Sequence, residues 1–163
     1  MFAFDFSIIT WDLFVILFFL IVIFVYGMKA GRGKMFFGII SAYIAIVLTE
    51  LFPFTPTIAG ALNLKDIYLI KLVLFIVVLA ITFLVFSKSS GSSYKSHWFQ
   101  VFLLSLIFTG IVLGNLIAFI LKDIPIEFSP LTISFLASIK ARFWWLLASV
   151  IVLVFVRKKI SSN

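Results

Sequence analysis

The run Trp11-Asp12-Leu13-Phe14-Val15-Ile16-Leu17-Phe18-Phe19-Leu20-Ile21-Val22-Ile23-Phe24-Val25-Tyr26-Gly27-Met28 carries a single charge, Asp12, and that charge lies at its start. No polar residue interrupts it at the two-residue period of a barrel strand. A helix pairs all its own backbone groups, so it is the form such a run takes in hydrocarbon. At about 1.5 Å per residue the run reaches about 27 Å, close to the roughly 30 Å of a bilayer core. It reads as a membrane-spanning helix, and it has counterparts along the chain.

Four further stretches approach the same length: residues 35–54, 67–86, 98–121 and 139–156. The last is the least clean. Its pure apolar part, Phe143 to Val156, would cover only about 21 Å as a helix. Lys140 and Arg142 must then snorkel toward headgroups to complete the crossing. The expected fold is all-α: one integral membrane domain over residues 1–163, a polytopic transmembrane bundle of five spans. Four spans with a short or interfacial fifth is the variant. Composition agrees, with 64% hydrophobic and 12% charged residues and a mean hydropathy of +1.32. A soluble domain would be nearer 45–50% apolar. A water-soluble enzyme, a disordered tail and a nucleic-acid-binding domain are excluded.

The net charge is +7, from 13 Lys and Arg against 6 Asp and Glu. Most of the basic residues sit at the ends of apolar runs, where the positive-inside bias places them. Lys29, Arg32 and Lys34 fall between the first two spans, Lys88 and Lys95 in the Ser/Gly-rich loop 87–97, and Arg157, Lys158 and Lys159 after the last. With the N-terminus outside, these eight are cytoplasmic. Lys65, Lys71, Lys122, Lys140 and Arg142 are the five on the other side. The orientation read from this is N-out, C-in. No Lys or Arg precedes Lys29, so the first run lacks the basic start of a cleavable signal and reads as a retained span. Trp11, Trp98, Trp144 and Trp145 lie at span ends, as interfacial anchors do.

The outer loop 122–140 contains Ser129-Pro130, a helix start with Ser as N-cap and Pro at the first position. Leu131, Phe135, Leu136 and Ile139 follow at helical spacing. They form either a short helix on the outer surface or an extension of the fifth span. No internal repeat points to an inverted-repeat transporter.

Several constellations bear on chemistry. Gly27-Met-Lys-Ala-Gly31-Arg-Gly33-Lys34-Met35 superficially suggests a phosphate loop, but Met35 stands where Ser or Thr is required. It reads as a tight basic turn, with Lys29, Arg32, Lys34 and the C-terminal Arg157, Lys158 and Lys159 near anionic lipid headgroups. Gly110-Ile-Val-Leu-Gly114, continued by Ala118, is a small-residue face that lets helix backbones approach, within the chain or between copies. Asn115 beside it expects an interhelical hydrogen bond. Asp12, Glu50, Lys71, Lys140 and Arg142 fall at similar depth on the outer side. Asp12 reads as an N-cap. Glu50, near a helix C-terminus, opposes the dipole there and expects a cation, Lys71 or Arg142. Ionisable groups at membrane depth invite a relay reading, yet the inner half holds no carboxylate to continue one. With no cysteine, one histidine (His97) and no nucleophile–base motif, no catalytic, metal or cofactor site is expected.

Trp11-Asp12-Leu13 through Tyr26-Gly27-Met-Lys-Ala-Gly31-Arg-Gly33-Lys34, then Ser41-Ala42-Tyr43, resembles the start of the colicin V production protein family over residues 8–55. These are small bacterial inner-membrane proteins. The first span there opens with an Asp and ends in a Gly-basic-Gly turn, as Asp12, Gly27 and Gly31 do here. That family usually has four spans, so the five counted here depart from it. The resemblance implies a multi-pass protein of the bacterial inner membrane with an export, biofilm or envelope role. The expected function is an assembly, scaffold or accessory component, contacting lipid and other membrane proteins or itself through the fourth span. Two alternatives stand beside it. One is a small transporter or channel subunit with Glu50 and Asn115 lining a path, the other a holin-like pore former.

Overall fold

The computed structural model describes residues 11–61, 67–89, 98–121 and 128–161. All regular structure among them is helical: α1 (Trp11–Ala30), α2 (Arg32–Leu51), α3 (Thr55–Ala61), α4 (Ile67–Ser89), α5 (Trp98–Ile120), α6 (Pro130–Thr132) running into a π-helical segment (Ile133–Ala137), and α7 (Ile139–Ser161). Four are long and apolar enough to cross a membrane: Trp11–Ala30, Arg32–Leu51, Tyr68–Lys88 and Trp98–Ile120. A fifth crossing results if Pro130–Ala137 and Ile139–Phe155 form one span, bent by 48°.

The expected basic turn between the first two spans shrinks to one residue. Gly31 sits at φ 84°, ψ 161°, a region essentially closed to residues with a Cβ. That conformation lets α1 stop at Ala30 and α2 start at Arg32, three residues before the start expected from hydropathy. α2 also ends earlier, because Phe52 precedes Pro53 and adopts an extended ψ of 110°. The Thr55 hydroxyl donates to the Phe52 carbonyl (3.1 Å) and opens α3, a helix that hydropathy does not mark.

α5 is the hub, packed by α1, α2, α7 and the π-helical segment, while α4 lies chiefly on α2. Met35, Ile39 and Ala42 of α2 meet Leu104, Ile107 and Ile111 of α5 in one cluster. Phe75 of α4 and Phe119 of α5 close a second with Ala45, their rings 5.9 Å apart and edge-on. Outward, α1 and α4 bury almost nothing. Phe14, Phe18, Ile21 and Val25 of α1 and Val73, Val77, Ile81 and Val85 of α4 are exposed. In water such surface would be untenable; in a bilayer it is the lipid-facing side.

The segment before α7 is bent from it by 48°, so it is not a straight extension of the fifth span. Ser129 caps it as expected, its hydroxyl accepting from Thr132 N (3.4 Å) with Pro130 at the first turn. The chain then widens into the π turn and breaks at Ser138, whose ψ is 147°. Ser138 restarts the helix: its hydroxyl accepts from Ala141 N (3.1 Å) while donating to Ser134 O (3.0 Å).

Candidate functional site

The small-residue face of α5 meets the bent segment. A Cβ on Gly110 would stand 2.6 Å from the Trp145 ring, and one on Gly114 would stand 2.6 Å from the Leu136 carbonyl oxygen. Ala118 belongs to the same packed cluster, with Leu136 and Ala137. The face is thus filled by the chain's own Trp145 and Leu136. The Trp145 indole N–H donates to Phe135 O (2.9 Å), and the two rings meet edge-on at 6.0 Å.

Asn115 is buried one position along. Its amide donates to Ile111 O in its own helix (2.8 Å), and its carbonyl oxygen accepts from Arg142 Nη1 at a long 3.5 Å. The expected interhelical bond is therefore present, and its partner, Arg142, is one of the five charged residues expected at similar depth. The others do not assemble with it. Glu50 and Lys140 are exposed, Lys71 is half-buried, and among the described residues no ion pair joins Glu50 to Lys71 or Arg142. Asp12 is buried rather than at the surface. Its carboxylate accepts from Ser129 N (3.0 Å), tying the start of α1 to the start of the bent segment. The Trp11 and Phe128 rings pair beside it, 5.4 Å apart.

The basic turn divides. Lys29 is exposed and Lys34 half-buried, but Arg32 turns inward and is buried. Its Nη1 donates to Gln100 Oε1 (2.9 Å) at the start of α5. Gly27 explains the fit, since a Cβ there would meet Val101 at 2.8 Å. The side chains of Arg157, Lys158 and Lys159 lie outside the described residues; the backbone that carries them is helical.

Two features escape sequence reading. The Tyr43 hydroxyl of α2 lies 2.6 Å from Leu146 O and 2.5 Å from the Ser149 hydroxyl of α7, itself 2.7 Å from Leu146 O; the two hydroxyl protons make two of these three contacts hydrogen bonds, and either arrangement ties α2 to α7. Buried hydroxyls in otherwise apolar spans were the available signal; their pairing was not. The second feature is the cavities. One slot of about 340 Å³ lies between α1, α5 and the bent segment, lined by residues such as Leu13, Leu20, Leu106 and Trp145. Another of about 390 Å³ lies among α1, α2, α4 and α5. Both have almost wholly apolar walls. Among the described residues no group of His, Cys, Asp and Glu is arranged to hold a metal.

Fold and site together define a class: a small all-helical protein with several membrane-crossing helices, welded at its ends by buried polar contacts. No protein-family model, curated protein or solved structure matches the chain.

Proposed function

We propose that this protein is an accessory or assembly component of a bacterial inner membrane, crossing it five times with the N-terminus outside. The observation that carries the reading is how the interior polar groups are used. Tyr43 with Ser149, Arg32 with Gln100, Asp12 with Ser129 and Asn115 with Arg142 each join one part of the bundle to another. The cavities between helices are apolar, which suits packing and lipid rather than a hydrated path. Meanwhile α1 and α4 offer whole apolar faces to the bilayer or to neighbours. The resemblance of residues 8–55 to the colicin V production protein family supports an export- or envelope-related setting.

The test is the mass of the particle isolated from its own membrane in native nanodiscs. Other polypeptides retained in fixed ratio support the accessory role. A lone monomer or homo-oligomer overturns it.

One observation favours a second reading, a small transporter or channel subunit. The 48° break at Ser138 sits beside Asn115 and Arg142, and discontinuous helices build substrate sites in many transporters. Flux through liposomes that Arg142→Gln abolishes, with the fold intact, would select that reading.

A further inference from the structure

We propose that the slot beside Trp145 and the groove adjoining it hold one anionic phospholipid, its phosphate on Lys140 and one acyl chain in the slot. The inference rests on the multi-pass membrane reading and not on the accessory role.

The slot comes first. Its volume of about 340 Å³ lies within the range of about 300–1,000 Å³ that small-ligand sites occupy. Its lining follows α1 along the helix, through Leu13, Ile16 and Leu20. Leu13 and Leu131 stand at the end that Asp12 and Ser129 tie together, and Leu20, Leu106 and Gly110 line the far end. That is the direction a lipid chain takes. Water is a poor occupant, because an ordered water needs about 2–4 polar partners. The Thr109 hydroxyl already donates to Ser105 O. Thr132, also in the wall, is 2% exposed, and its hydroxyl has no partner among the described residues.

The groove supplies the charge. It shares Ser134, Phe135 and Trp145 with the slot, so the two adjoin across the Phe135–Trp145 ring pair. Lys140 and Trp144 line its other side. Lys140 is exposed and no carboxylate meets it among the described residues. It lies in the first turn of the 23-residue α7, where the helix dipole also favours an anion. An apolar slot next to a groove that carries one uncompensated Lys is complementary to a lipid of net negative charge. Free phosphate lacks the chain, and in phosphatidylcholine the choline offsets the phosphate.

The experiment uses the full chain in phosphatidylcholine nanodiscs doped with phosphatidylglycerol that bears a diazirine on one acyl chain. After irradiation, the labelled residues are mapped by mass spectrometry. Label is expected to concentrate on the slot walls, on residues 13–20 and 131–145. Lys140→Gln should lower it about fivefold, which corresponds to the roughly 1 kcal/mol one Lys contributes toward anionic lipid. Leu20→Trp, which fills the slot, should abolish it. If Leu20→Trp fails to fold, Lys140→Gln still decides, because its side chain is exposed. Labelling spread evenly over the outer faces of α1 and α4 overturns the proposal. So does equal labelling by a phosphatidylcholine probe, or a Lys140→Gln variant labelled like the wild type.

Discussion

Gly114 of α5 lies directly against the main-chain carbonyl of Leu136, so close that a Cβ would stand 2.6 Å from the oxygen. The approach places a Cα–H beside a carbonyl at the π turn, a weak but recurrent helix–helix contact. It also fixes where the bent segment meets the hub of the bundle.

Gly114→Ala should therefore destabilise the protein by about 1–3 kcal/mol, the usual cost of overpacking. The obstacle is backbone, so no rotamer change relieves it. Gly110→Ala meets the Trp145 ring instead, and a side chain can be trimmed. Trp145→Phe should recover part of the Gly110→Ala loss and none of the Gly114→Ala loss. Reversible unfolding in bicelles of the three single and two double variants checks this. Equal rescue of both alanines would show that the Leu136 carbonyl is not the obstacle.

The hydroxyl triad of Tyr43, Ser149 and the Leu146 carbonyl makes an ordering prediction. Tyr43→Phe removes every polar link this side chain makes from α2 to α7. Ser149→Ala leaves Tyr43 bonded to Leu146 O. Interhelical hydrogen bonds in membranes average about 0.6 kcal/mol, with about 1.7 as a maximum. Tyr43→Phe should fall toward the upper figure and Ser149→Ala below the average. The same unfolding measurement tests it, and the reverse order would count against the assignment.

How far the sequence leads can be judged at particular residues. The spans were legible because hydropathy over some twenty residues depends on composition alone. The Ser129-Pro130 start was legible because capping is local. The α1–α2 joint was visible as a glycine-rich turn, although its reduction to Gly31 was not, since only the backbone shows that one residue at φ 84° suffices. Pairings were harder. Glu50 stood out by its charge, yet it is exposed, while the unremarked Gln100 is buried against Arg32. Depth along a helix can be read from position, but azimuth cannot when nearly every residue is apolar and no stripe marks the inner face. The break at Ser138 escaped for a related reason: Ile133 to Ala137 look like ordinary helix, and the π turn arises where Leu136 and Trp145 must both reach the small face of α5.

Arg32 separates the packing and headgroup roles of the basic turn. Its guanidinium is buried and bonded to Gln100, whereas Lys29 is exposed. Removing one partner of a buried hydrogen bond to a charged group costs about 1.5–3 kcal/mol, and surface charges rarely matter by more than about 0.5 kcal/mol. Arg32→Gln should therefore lower the unfolding free energy several times more than Lys29→Gln. Binding to phosphatidylglycerol vesicles should respond in the opposite sense, weakening with Lys29→Gln and Lys34→Gln while Arg32→Leu has little direct effect on it. An Arg32 variant of wild-type stability would remove the structural role.

Two contacts at opposite ends of the bundle set the terms of its topology. The Arg32–Gln100 bond holds the starts of α2 and α5 together at one end, and the Asp12–Ser129 bond holds the start of α1 beside the bent segment at the other. A cysteine at Ser90, in the connection leading to α5, should therefore react with a membrane-impermeant maleimide from the opposite side to one at Ser129. The second substitution leaves intact the main-chain N–H that Asp12 holds, and the chain has no native cysteine to compete. With the N-terminus outside, Ser129→Cys labels in intact cells and Ser90→Cys only after the membrane is opened. The reverse pattern would invert the orientation read from the eight basic residues. Labelling of both from one side would rule out the bundle crossing the bilayer end to end.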